Sequence, residues 1–196
     1  MMRLPVPDAV RHSRGFTLME LVVIMALIGI VAGIAGPRID LAKYRMDTAA
    51  LQLSTGLHGA QQTALLRGHN VNYVFDTTLN RLILHLDADN DKLLGTNEEQ
   101  RVVEFEQGVV FGRGGAPTLN GATSAVTFTQ TWGSSLPVVR FYRNGSTSEA
   151  GTVYITTKQA ALGNTFPEHA RAIQIERATG RIRCFSYKTG SWEEKC

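Results

Sequence analysis

Asp87, Asp89, Asp91 and Glu98 fall at positions 1, 3, 5 and 12 of one stretch, the spacing at which a loop can wrap hard carboxylate oxygens around Ca²⁺. Lys92 occupies the place where the sharp turn of such a loop needs Gly, and the flanking sequence reads as strands rather than helices. Those two departures favour a solvated hairpin loop over a cation site. A second group is basic. Arg181 and Arg183 alternate along one strand, with Arg177 before it and Lys188 after it. Alternate strand residues lie about 7 Å apart, close to the phosphate spacing of a nucleic-acid strand. The competing reading is an ordinary exposed basic strand face.

A third group lies near the N-terminus. Arg14-Gly15-Phe16-Thr17-Leu18-Met19-Glu20-Leu21 opens an apolar run that lasts to Ala35. From Phe16 that run would extend about 30 Å as a helix, enough to match a hydrocarbon core. Arg3, Arg11 and Arg14 precede it against the single acid Asp8, which places the leader on the cytoplasmic side and the rest outside. A secretory signal is cut after its apolar region, whereas the obvious cut here, Gly15-Phe16, comes before it. The apolar helix therefore stays with the mature chain. Glu20 within it costs roughly 2.5–3.5 kcal/mol on insertion scales and calls for a partner or a function, although an acid near the membrane edge is also tolerated.

Four segments position these groups: a leader over 1–15, an apolar transmembrane and assembly helix over 16–36, an amphipathic helix over 37–67 and a β-rich domain over 68–196. Ile39, Ala42, Met46, Ala49, Ala50, Leu53, Leu57, Ala60 and Ala64 recur at helical steps, and Arg67-Gly68 ends the pattern. Gly33, Gly36 and Pro37 form a weak point in the helix, and Gly29 with Gly33 offers a close-packing face. From Asn70 the period becomes two. The expected strands are 71–75, 81–86, 101–105, 109–111, 125–129, 138–142, 152–156, 172–176 and 181–187. The Gly-rich stretch 112–124 reads as a mobile loop.

The full chain carries a net charge of +3. Loss of residues 1–15, with three bases and one acid, leaves about +1, so net charge alone does not announce a nucleic-acid binder. Charge is instead distributed. Residues 76–106 hold eight acids and three bases, and residues 140–196 hold nine bases and five acids, which suits ordered docking of unlike subunits. The five histidines show no metal spacing, and no nucleophile elbow or phosphate cradle is present, so no enzyme is expected.

The Arg14–Leu21 octet resembles the cleavage signal of type IV pilins and type II secretion pseudopilins. That resemblance implies a prepilin peptidase cut between Gly15 and Phe16 and N-methylation of Phe16. It also implies assembly through Glu20 and a neighbour's N-terminal amine, and a helix-interrupting Pro37. Phe141–Ser146, Gly151–Ile155, Ala172–Ile175 and Gly180–Arg183 resemble the GspH and FimT/FimU globular domain. This implies an α+β fold in which a long N-terminal helix packs on an antiparallel two-sheet domain. In a periplasmic setting Cys184 and Cys196 are expected to pair, as in the C-terminal loop of many pilins. Gly180-Arg181-Ile182-Arg183 resembles an element linked to DNA binding in FimT-type proteins. The expectation is an inner-membrane subunit with a periplasmic domain, stored before incorporation into a filament. Its role would be a type IV minor pilin that initiates or caps the fibre. The alternatives are a GspH-type pseudopilin and a signal-anchored periplasmic binding protein.

Overall fold

The computed structural model describes residues 15–35, 40–91, 95, 98–121, 123–133 and 135–195. It divides into two compact units, Met1–Asp40 and Leu41–Cys196.

The first unit holds α1 (Leu18–Ala35). Its start is set by Thr17, whose Oγ1 accepts the Glu20 amide at 3.2 Å while its carbonyl accepts the Leu21 amide. Thr-x-x-Glu is the capping-box spacing, and the Thr17 side chain satisfies one amide that a helix end leaves orphaned while its carbonyl takes the first intrahelical bond. The cap shortens the expected span. The 18 residues of α1 cover about 27 Å, against a hydrocarbon core of about 30 Å. No helix among the described residues is long and apolar enough to cross a membrane. Pro37 and Gly36 lie outside the described residues.

The second unit begins with α2 (Leu41–Arg67), which buries Met46, Ala49, Ala50, Leu53, Leu57, Ala60 and Ala64. This is the stripe that the helical period requires, and its four alanines let strand backbones come close. The helix packs on two antiparallel sheets. One has the order β3-β2-β1-β6-β5 and the other β10-β9-β8-β7-β4. In the first sheet the strands are β1 (Asn70–Asp76), β2 (Arg81–Asp87), β3 (Gln100–Glu104), β5 (Thr131–Trp132) and β6 (Leu136–Phe141). In the second they are β4 (Val109–Phe111), β7 (Gly151–Thr157), β8 (Arg171–Ile175), β9 (Ile182–Lys188) and β10 (Ser191–Glu194). Leu53, Leu57, Phe75, Val139, Phe141, Val153, Ile155, Ile173 and Ile175 share the core between helix and sheets. The fold is α+β, as expected.

Turn chemistry fixes the registers. Asp76 Oδ1 accepts the amides of Thr78 and Leu79, Arg81 Nε donates to its Oδ2 at 2.8 Å, and Asn80 takes a left-handed φ of 50°. Together these close the β1–β2 hairpin with Asp76 opposite Arg81. Alternation along β2 then sends Leu82, Leu84 and Leu86 to the α2 side and Ile83, His85 and Asp87 to the other face.

Three expectations change. The alternating stretch 125–129 forms no strand; only Val126 makes an isolated bridge, to Val153. The 112–124 loop is tied down rather than loose. The Gly112 amide donates to the Tyr154 carbonyl, the Leu119 amide to the Tyr154 hydroxyl, and Arg113 donates to the Ala116 and Thr123 carbonyls. A short helix, α3 (Lys158–Gly163), follows β7, with Thr157 as its N-cap.

Candidate functional site

The N-terminal candidates all lie on or just before α1. Phe16 is 77% exposed, and a Cβ added at Gly15 would meet nothing within 4 Å. Gly29 and Gly33 are equally open. Every described side chain from Leu18 to Gly33 is exposed in the unit. A helix apolar on all sides apart from one carboxylate is stable only when lipid or other protein covers it.

The acidic loop between β2 and β3 separates into two devices. Carboxylate oxygens of Asp87, Asp89 and Asp91 lie within 4.8 Å of one another. Glu98 is not in that group. Its Oε1 accepts the Ala88 amide at 2.8 Å, and its Oε2 accepts the Gly95 amide at 2.7 Å and meets His85 Nε2 at 2.8 Å. Spacing put Glu98 at ligand position 12, but local hydrogen bonds have claimed both of its oxygens. His85 continues into a relay. Arg140 Nε donates to Asn72 Oδ1 at 2.7 Å, which leaves Asn72 Nδ2 to donate to His85 Nδ1 at 3.1 Å. Nδ1 is thus the acceptor and Nε2 the donor to Glu98. The Trp132 ring lies 4.5 Å from the imidazole and helps cover this face.

The Gly95 amide above all holds the Glu98 carboxyl low, at about 2; burial opposes it, and the His85 and Ala88 bonds add to the lowering. A carboxyl depressed in the folded state stabilises above its unfolded value, here 4.5, and that stabilisation is lost as pH falls toward 2. The wild-type chain is therefore expected to lose thermal stability between pH 4.5 and 2 more steeply than Glu98→Gln. Parallel pH–Tm curves for the two would contradict this.

The basic candidates differ in their surroundings. Arg177, Arg181 and Lys188 are exposed. Arg183 is half-buried and committed: it donates to Gln174 Oε1 at 2.6 Å, lies 3.8 Å from Glu176 and 3.7 Å from Glu194, and its guanidinium sits over the Phe185 ring. The expected ladder of two free guanidiniums is therefore absent, because β10 brings Glu194 against β9. Gly180 has a structural duty. At φ 62° its Cβ would meet the Gly145 carbonyl oxygen, and Gln61 of α2 bonds the Gly145 and Thr179 carbonyls at 2.8 and 3.0 Å. These placements give DNA contact no support. Cys184 is not a free thiol, and Cys196 lies outside the described residues. Trp192 is held by an edge-on contact with Tyr187, a tilted one with Tyr154 and a hydrogen bond donated to the Pro117 carbonyl.

Residues 10–36 match the prokaryotic N-terminal methylation motif, and residues 49–179 match the family described as Type II transport protein GspH. The chain belongs to the GspH family. The family consists of pilin and pseudopilin structural subunits, so the chain is not an enzyme. Pilin-like protein PilA1 of Thermus thermophilus is 29% identical over 96 residues, covering 48% of this chain and 62% of that protein. The chain thus spans less than two thirds of this curated relative's length. A crystal structure of the minor pseudopilin EpsH of the Vibrio cholerae type II secretion system shares the fold at 16% identity and TM-score 0.50. That match covers 76% of this chain and 99% of the other. A second EpsH structure aligns over 72% of this chain and 97% of the other, also at 16% identity, with TM-score 0.47. Membership with the methylation motif implies a membrane-anchored subunit of pilin type.

Proposed function

We propose that this GspH-family chain is a minor pilin of a type IV pilus, cut between Gly15 and Phe16, methylated at Phe16, and placed where the filament begins or ends. The observation that carries the reading is α1 itself. It is apolar on every side and exposed among the described residues, follows a glycine whose added Cβ would meet nothing described within 4 Å, and carries one carboxylate, on Glu20, whose backbone amide Thr17 caps. Such a helix suits storage in a bilayer followed by transfer into a bundle of like helices. A Cys184–Cys196 bridge closing the tail belongs to the same reading, since the periplasm permits it. The pilin-like relative supports the pilus branch.

Deleting the gene tests this directly. Loss of surface pili with protein secretion intact is the expected result. Loss of secretion with pili unaffected would sink it in favour of a minor pseudopilin, the second reading, which the family's type II transport description supports. Family membership leaves the periplasmic binding-protein reading without an observation in its favour.

A further inference from the structure

Asp87 stands at the end of β2, fully buried, and neither of its carboxylate oxygens has a hydrogen-bond partner. A buried charged group in that state is strongly unfavourable unless something neutralises it. The carboxylates beside it add to that charge rather than offset it, because Asp89 and Asp91 bring their own oxygens within 4.8 Å of it. Three carboxylates, one of them buried and without a hydrogen-bond partner, are an arrangement that a cation would neutralise. Hard oxygens at this separation can share one ion at Ca–O distances of about 2.3–2.6 Å, with loop carbonyls and water completing six to eight positions.

We propose that Asp87, Asp89 and Asp91 form a Ca²⁺ site at the β2–β3 loop of this domain. Glu98 is a positioning residue there and not a ligand. Its carboxylate pins the amides of Ala88 and Gly95, fixing both ends of the segment that carries Asp89 and Asp91. The relay Arg140–Asn72–His85 anchors Glu98 from below. Asn90, at φ 64°, accepts the Asn70 amide at 3.4 Å and holds the turn between the two exposed acids. The ion thus joins a buried strand end to a loop that would otherwise repel itself, and the loop's conformation depends on Ca²⁺.

The test uses the full chain in detergent, stripped with a chelator and then titrated with Ca²⁺ or with Mg²⁺, while thermal unfolding is followed by tryptophan fluorescence. Ca²⁺ is expected to raise Tm by several degrees, and an equal concentration of Mg²⁺ to raise it much less. Asp89→Asn, an exposed change that leaves the core intact, should lose most of that shift. Asp87→Asn should lose all of it and should be more stable than the wild-type chain when Ca²⁺ is absent, because the buried charge is gone. No Ca²⁺ response in the wild-type chain overturns the site. So does a response of equal size in Asp87→Asn and Asp89→Asn.

Discussion

Arg171→Ala is expected to lower the stability of the 41–196 unit by about 3–5 kcal/mol. Arg171 is 1% exposed and heads the fully buried side chains by volume. Its Nε donates to Asp47 Oδ1 on α2 at 2.8 Å, and its Nη1 donates to the carbonyls of Glu168 and Ala170, both at 2.8 Å. Truncation opens a cavity and strands the Glu168 carbonyl, worth about 1–3 kcal/mol when left without a partner, while the Ala170 carbonyl keeps the Tyr187 amide at 3.3 Å. The Asp47 side chain is 53% exposed, so water can replace the guanidinium there. Asp47→Asn should therefore cost much less. Arg171→Met should fall between the two, since it restores volume but not the carbonyl bonds. At about 2–4 °C per kcal/mol for a domain of this size, the Arg171→Ala shift is of order 10 °C and easily read in thermal unfolding. A shift within about 1 °C would mean that the Glu168 carbonyl finds another donor and that Arg171 is not the clasp between α2 and β8.

Arg171 was invisible in the sequence for a reason that applies widely in this fold. Its partners lie on α2 and in the short turn before β8, and their meeting depends on how a helix sits across two sheets. Local period carries no such information. It did carry the α2 stripe, because each apolar position from Met46 to Ala64 is tested against the same neighbouring layer. The turn signals at Asn144-Gly145 and Gly180 were equally legible, yet their joint use was not. Only the folded chain brings Gly180 against the Gly145 carbonyl, with Gln61 binding both turns. Thus the glycine of the Gly-Arg-x-Arg element answers a packing demand, and Arg183 answers to Glu176 and Glu194. The acidic loop shows the limit from another side. Spacing named four oxygen donors, but Glu98 was claimed by an imidazole that β2 supplies and by two backbone amides. Strands β5 and β10, of two and four residues, were too short to show alternation. The stretch 125–129 alternated well but found just one bridging partner, Val153.

Glu20→Gln is expected to leave the cut at Gly15 and the start of α1 intact while reducing incorporation into filaments by at least about tenfold, the factor that a loss of about 1.4 kcal/mol produces. The capping box explains why this substitution separates two roles that the sequence merges. Glu20 supplies the third helical position after Thr17, and Gln serves that position nearly as well. What Gln cannot supply is charge. In the proposed assembly, the carboxylate pairs with the methylated N-terminal amine of a neighbouring subunit inside a low-dielectric bundle, where an unpaired amine would be costly. Glu20→Ala keeps the Thr17 bond to the backbone amide but also loses the polar side chain that a capping box uses at this position, so it should disturb both helix start and incorporation. Processing is read by gel mobility and incorporation by the protein's presence in sheared fibres. If Glu20→Gln enters fibres at the wild-type level while Glu20→Ala does not, the residue works as a helix cap alone. Charge pairing would then have to be given up as the reason for a carboxylate in an apolar helix.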